Sequence, residues 1–262
     1  YLENNNKEDI SLYSDMGKNL HDLGEIHLTG YAKKRTEGFP LDPAAPWSFH
    51  KDMNGYAEGS EKEVETYLLS GLYTSNWLDV SFSYTGNDRE DNPVKDTWAS
   101  GDIEKYDMEF TTPSFRADIH FDVGDHEFKQ GWGYTYERGS ADYKYFGSGS
   151  DRISMNRRLW GFFARDSWQV LPELNVTFGL RFDHFENSAS SQGLNGSIRD
   201  ELSQGGWSPR LSATYTIFED MELAFFAGRF FKAPTASDIY NHNRAFSSAT
   251  RETDPVTGME FD

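Results

Sequence analysis

The sequence contains no cysteine, which excludes disulfide staples and thiolate metal sites. It has no apolar run long enough to cross a bilayer as a helix, and nothing in it reads as a secretory signal peptide. A membrane barrel, whose crossing segments are about ten alternating residues long, needs no such run. Cations are scarce. Lys and Arg number 25 against 43 Asp and Glu, for a formal charge of -18. Nucleic-acid phosphates require Lys and Arg, so no nucleic-acid partner is expected.

Catalytic signatures are missing too. Asp166-Ser167 and Asp183-His184 make no triad, and Gly147-Ser148-Gly149-Ser150 lacks both the spacing of a nucleophile elbow and a strand before it. There is no phosphate-binding glycine loop. The chain is therefore not read as an enzyme: no catalytic residue, cofactor or metal is expected. Asn195-Gly196-Ser197 matches a glycosylation acceptor, a three-residue pattern that carries little weight by itself.

What is present is aromatic. Phe 20, Tyr 14 and Trp 7 accompany a mean hydropathy of -0.73, a pairing that suits a barrel with aromatic girdles and polar loops better than a soluble core. The clearest segment is Asn175 to Asp183. Val176, Phe178, Leu180 and Phe182 alternate with Asn175, Thr177, Gly179, Arg181 and Asp183, which is the period of a strand with one apolar and one polar face. Similar patterns predict strands over 9–16, 25–33, 63–73, 77–85, 115–123, 126–136, 158–170, 173–185, 207–218 and 221–231.

The connections are predicted to alternate short and long. Tight turns fall at Ser75-Asn76, Gly124-Asp125, Leu171-Pro172 and Glu219-Asp220, and long loops at 36–61, 86–108, 137–155 and 186–206. That meander is the pattern of an outer-membrane barrel, whereas a soluble sandwich mixes connection lengths and crosses between sheets. The fold class is read as all-β, an antiparallel up-and-down transmembrane barrel, incomplete at about ten strands. The alternative is a secreted or surface β-sheet binding module, adhesin- or lectin-like, against which the alternating Ser and Asp faces speak. The chain opens without Met in a polar run, and a fragment is expected.

Four pieces, in order, carry a resemblance: Phe163-Ala164-Arg165-Asp166-Ser167-Trp168; Leu174 to Asp183, ending Gly179-Leu180-Arg181-Phe182-Asp183; Ser208-Pro209-Arg210-Leu211 with Tyr215; and Ala227-Gly228-Arg229-Phe230-Phe231-Lys232-Ala233-Pro234. They resemble the barrel of a TonB-dependent outer-membrane receptor, and Asp125 to Gly131 resembles a strand start of its Oar-like branch. Arg165 stands where the family usually has Gln, and Phe231 where it has Gly. The resemblance implies a barrel of 22 strands with a plugged lumen, set in outer-membrane lipid. It implies as partners the receptor's own plug, TonB acting through that plug, and a small nutrient ligand of the siderophore, cobalamin, saccharide or peptide class. Nothing here resembles a plug or a TonB box, so residues 1–262 are expected to be part of the barrel, without the plug domain and the C-terminal strands.

Candidate residues follow from placement. Arg116, Asp118, His120, Asp122, Arg181, Asp183 and Arg210 lie on polar strand faces and are expected to meet lumen or plug, with a solvated face as the bland alternative. Asp118, His120 and Asp122 are spaced to share a metal, but charged residues are ordinary on such a face. Asp88, Glu90, Asp91 and Asn92 read as a solvated acidic loop rather than a calcium loop. Trp168 and Trp207, near predicted strand ends, suit the lipid–water interface. Trp47, Phe49, Trp98, Tyr143, Tyr145 and Phe146 fall in predicted loops, where recognition by a rigid scaffold usually sits.

Overall fold

The computed structural model describes residues 7–38, 61–93, 103–193, 196–218 and 221–232. They form ten strands: β1 (Lys7–Asn19), β2 (Glu25–Gly38), β3 (Glu61–Thr74), β4 (Leu78–Asn92), β5 (Ile103–Val123), β6 (His126–Tyr145), β7 (Gly149–Leu171), β8 (Leu174–Gly193), β9 (Gly196–Phe218) and β10 (Met221–Gly228). The strands pair antiparallel in chain order in a single sheet, which is not closed into a ring. At one end the connections are tight. Gly124 takes φ 62 between β5 and β6, a left-handed conformation that glycine adopts without a Cβ penalty. A short 3-10 turn, His21–Leu23, joins β1 to β2.

All ten predicted strands are found, but several run much further than predicted. The expected loop 137–155 is the paired ends of β6 and β7, which register from Glu137↔Arg157 to Tyr145↔Gly149. The expected loop 186–206 is the paired ends of β8 and β9, out to Gly193↔Gly196. The acidic stretch Asp88 to Asn92 belongs to β4 and pairs with β3 and β5. The β4 and β8 extensions are largely polar on both faces, whereas those of β6 and β7 alternate Ala141, Tyr143 and Ile153 with charged residues inside a Gly- and Ser-rich sequence that resembles a loop. Cross-strand ion pairs such as Arg152–Asp142 at 2.6 Å help to tie them.

Two prolines shape the ladder. Pro113 interrupts β5–β6 pairing between Thr111↔Arg138 and Ser114↔Thr135, while its pairing with Tyr84 on β4 continues. Pro209 lies in the middle of β9, not near a strand start as the sequence pattern suggested. Its carbonyl accepts from the Arg229 N–H at 3.0 Å. A residue's N–H and C=O point to the same side of a strand, so the N–H that Pro209 lacks also faces Arg229. The β9–β10 ladder therefore stops at Gly228↔Arg210. The chain then turns across the sheet: the Phe231 N–H donates to Ser208 Oγ at 2.9 Å, and its ring stacks on Phe185 at 6.1 Å.

Direct register neighbours share a face. One face carries Phe82, Phe115, Tyr134 and Trp160 in a row, and nearer the tight turns Val123, His126, Trp168 and Val176 in another. Its side chains are open to the surroundings: Phe178 is 50% and Trp207 51% exposed. Roughly eight residues separate Trp160 from Trp168, about 26 Å along the strand, which a tilt of about 40° shortens to ~20 Å. That approaches the height of a barrel's apolar band, about 25 Å. The opposite face is polar near the tight turns. Further along it carries the buried cluster Ala141, Tyr143 and Ile153, with Tyr106, Met108 and Tyr145 packed against it.

Candidate functional site

The predicted polar residues come together on that second face through the register. Arg116, Gly133, Gly161, Asp183 and Gly206 form one row across five strands, and Asp118, Gly131, Phe163, Arg181 and Ser208 form the next. The third is His120, Lys129, Arg165, Gly179 and Arg210. Arg and Asp two apart on one strand point the same way, so each can fork onto the other. Arg116 donates from Nε to Asp118 Oδ1 at 2.9 Å and from Nη2 to Oδ2 at 2.9 Å. Arg181 holds Asp183 in the same way, at 2.7 Å from Nε and from Nη2.

Both carboxylates are buried, Asp118 at 5% and Asp183 at 7% exposure, because each lies over a glycine on the next strand. A β-carbon at Gly131 would collide with Asp118 Oδ1, and one at Gly161 would lie 2.5 Å from Asp183 Oδ1. The guanidinium groups stay half exposed, and Arg116 lies 5.2 Å above the Phe163 ring. Lys129 joins Asp118 at 3.5 Å and Asp79 at 3.7 Å, and His120 sits 3.9 Å from Asp79. Asp118, His120 and Asp122 thus share a face, but Asp118 is held by Arg116 and Lys129. No metal-binding cluster of His, Asp or Glu is formed among the described residues. Arg210 lies flat over Gly179, where a β-carbon would be 2.8 Å from its Cγ.

Arg157, Arg181, Arg210, Phe230, Phe231 and Lys232 line a cavity of about 390 Å³ where the chain turns in after β10. Phe231 covers Gly206, whose missing Cβ makes room for the ring, and seals Phe185 at 0% exposure. Sequence reasoning missed Arg157, Phe163, Phe185 and Phe231 as inner-face residues. The signal was available for Phe163 and Phe185: each breaks the alternation of its strand with an aromatic on the polar side.

Tyr143 and Tyr145 are not loop residues. They lie on β6, stacked at 6.4 Å, with Tyr143 4.8 Å from Tyr106. The Gly- and Ser-rich sequence around them resembled a loop, but cross-strand aromatic stacking suits a paired hairpin. Phe146 sits exposed in the β6–β7 turn. Trp47, Phe49 and Trp98 lie outside the described residues. On the apolar face, the His126 ring stacks between Phe128 at 5.6 Å and Trp168 at 5.2 Å and lies 3.0 Å from Asp166 Oδ1. Trp207 packs on Phe182 at 4.8 Å. It lies mid-strand rather than near a strand end, because β9 continues to Gly196.

Beyond the apolar band the same face turns acidic. Glu65, Asp88 and Glu109 are direct neighbours, as are Glu63, Glu90 and Asp107. Lys34 reaches Glu63 and Glu65, Lys105 holds Glu90 at 2.9 Å, and Arg89, on the opposite face, holds Asp91 at 2.9 Å. Asp88 has no cation against it among the described residues. Burial first, then Glu109 and Glu65, pushes its carboxyl above the ordinary carboxylate range.

By sequence the chain matches none of the curated proteins. Solved structures are similar in fold. The ferric-catecholate import receptor Fiu from E. coli K12 superposes with TM-score 0.59 at 8% identity over 87% of this chain and 47% of that one. The ferric yersiniabactin uptake receptor FyuA from Yersinia pestis gives 0.55 at 13% over 83% and 37%. The siderophore receptor PiuA from Acinetobacter baumannii gives 0.56 at 11% over 81% and 40%. The chain therefore spans less than half the length of each of these receptors. The model of the family described as TonB dependent receptor-like, beta-barrel, matches residues 13–259. This chain belongs to that family.

Proposed function

We propose that the chain is part of the wall of an outer-membrane transporter that takes up a scarce nutrient. In this reading the apolar face meets lipid, with Trp168 and Trp207 near its two borders. Arg116, Asp118, His120, Asp122, Arg181, Asp183 and Arg210 look into the lumen toward a plug domain outside residues 1–262. TonB, acting through that plug, drives passage of the ligand. Tyr143, Tyr145 and Phe146, together with Trp47, Phe49 and Trp98, belong to the ligand-facing end. The observation that carries the reading is the division of a ten-stranded meander into an open aromatic face and a face of forked Arg–Asp pairs. A secreted binding module would need a second layer over the residues that Phe178 and Trp207 leave bare.

The test is expression of the full-length protein in a Gram-negative host. Membrane fractionation, heat-dependent gel migration and growth on candidate nutrient complexes with and without TonB are the readouts. We expect an outer-membrane, heat-modifiable protein whose uptake is lost without TonB. A water-soluble full-length monomer would refute the proposal.

A further inference from the structure

We propose that His126, Asp166 and the rings beside them form a seat for a phospholipid head group that carries a primary ammonium. The inference rests on the reading that this face meets lipid, and adds which lipid it holds at the border near the tight turns.

Among the described residues, Asp166 is the only carboxylate on the apolar face of β5 to β9 between the row of Phe115, Tyr134 and Trp160 and the row of Val123, His126 and Trp168. Its direct register neighbours are Phe128 and Phe178. Glu127, Lys129 and Arg165, at alternate positions, project from the other face. The partner Asp166 does have is His126, whose Nδ1 lies 3.0 Å from both carboxylate oxygens. An ionised carboxylate only accepts, so Nδ1 carries the proton and, in the neutral ring, Nε2 is an acceptor too. A carboxylate offers about four lone-pair sites, and one ring N–H meets part of that capacity. No other donor reaches Asp166 among the described residues, yet its side chain is 28% exposed. An acceptor at a lipid-facing position has little water to turn to, so the remaining donors come from the lipid.

The chemistry selects the head group. Carboxylate and imidazole acceptors side by side call for N–H donors, which a primary ammonium has and a choline lacks. Aromatic rings flank the acceptors in one continuous stack: Phe121 on Phe128 at 5.3 Å, Phe128 on His126 at 5.6 Å and His126 on Trp168 at 5.2 Å. Aromatic faces attract a cation, whereas an anionic head group would meet the carboxylate with like charge. Depth agrees. His126 opens β6 directly after the Gly124-Asp125 turn, beside Trp168 at the level where indole rings meet head groups. Asp166 lies one row further in, about 7 Å along the strand.

The experiment uses the purified full-length receptor in non-ionic detergent, with bound lipid counted by native mass spectrometry. The probes are phosphatidylethanolamine, its monomethyl and dimethyl forms, phosphatidylcholine and phosphatidylglycerol, all with the same acyl chains. Wild type is expected to bind the ethanolamine lipid about fivefold or more tightly than the choline lipid, with affinity falling at each methylation. Asp166→Asn should abolish that preference, and Glu127→Gln, on the other face, should keep it. The methylation series needs no variant, so it decides the matter even where Asp166→Asn fails to fold. Equal affinity along the series, a rise toward choline, tighter binding of the glycerol lipid, or a preference retained by Asp166→Asn overturns the seat. A lipid-free dimer that Asp166→Asn dissolves assigns the pair to a second copy and overturns it as well. Any of these results on a membrane-inserted, heat-modifiable wild type leaves the transporter reading intact. A full-length wild type that does not insert refutes that reading instead.

Discussion

Two glycines on the same face of β6 are predicted to respond in opposite directions to the same change. A β-carbon at Gly131 would collide with Asp118 Oδ1, meet Phe163 Cε1 at 2.6 Å and reach the Ala117 carbonyl at 3.0 Å. Backbone cannot yield there, so the carboxylate and the ring must move. Moving Asp118 breaks its fork with Arg116, and with it the Phe163–Arg116 contact. A hydrogen bond to a charged group contributes about 1.5–3 kcal/mol. Because Arg116 is half exposed, the lower part of that range applies. We therefore expect Gly131→Ala to destabilise by about 2 kcal/mol. At Gly133 the nearest atom is the Phe115 carbonyl at 3.7 Å, an ordinary contact. Gly133→Ala should be neutral or stabilise by up to about 1 kcal/mol, through the reduced freedom of the unfolded chain. The assay is guanidinium unfolding of the full-length protein from detergent micelles, followed by Trp fluorescence. Equal shifts for the two variants, or a larger loss at Gly133, would refute the idea that buried carboxylates rest on glycine.

Further expectations concern other parts of the wall. Asp88, with its carboxyl raised, costs the folded state nothing below the ordinary carboxylate pKa of about 3.9 and its full penalty above the raised value. Stability therefore falls as pH climbs through that window. Asp88→Asn should be more stable than wild type at pH 7 and indistinguishable from it at pH 3 in the same unfolding assay. At Gly206, alanine would place a β-carbon 2.6 Å from Phe231 Cγ, expel the ring and uncover Phe185, at about 2–3 kcal/mol. Tryptic cleavage after Arg229 and Lys232 should then accelerate, and unchanged cleavage would count against the inward turn.

The sequence was legible where the two faces meet different surroundings. Val176 to Asp183 alternates because one face is bare and apolar while the other holds Arg181 and Asp183, and the same contrast located all ten strands. It faded where both faces are polar. Around Ser190 the ladder continues with no hydrophobic period to show it, and around Asp142 and Arg152 the short period of Ala141, Tyr143 and Tyr145 is set among Gly, Ser and charged residues, so Tyr143 and Tyr145 were read as loop residues. The spacing of Arg116 and Asp118, and of Arg181 and Asp183, was visible. That each carboxylate lies over a glycine depends on register between strands, which no single segment encodes. Pro209 suggested a strand start. What it marks is the point where the neighbouring strand ends, a consequence of which side its missing N–H faces.

The central claim is that the sheet separates lipid from lumen, and the natural absence of cysteine makes it directly measurable. Single cysteines placed from position 176 to 183 in the full-length receptor, spin-labelled and reconstituted in phospholipid bilayers, report accessibility to oxygen and to a water-soluble nickel chelate. The account predicts a period of two, with Val176, Phe178, Leu180 and Phe182 favouring oxygen and Thr177, Gly179, Arg181 and Asp183 favouring the chelate or shielded from both. Uniform chelate access at all eight positions, or the opposite phase, would contradict it.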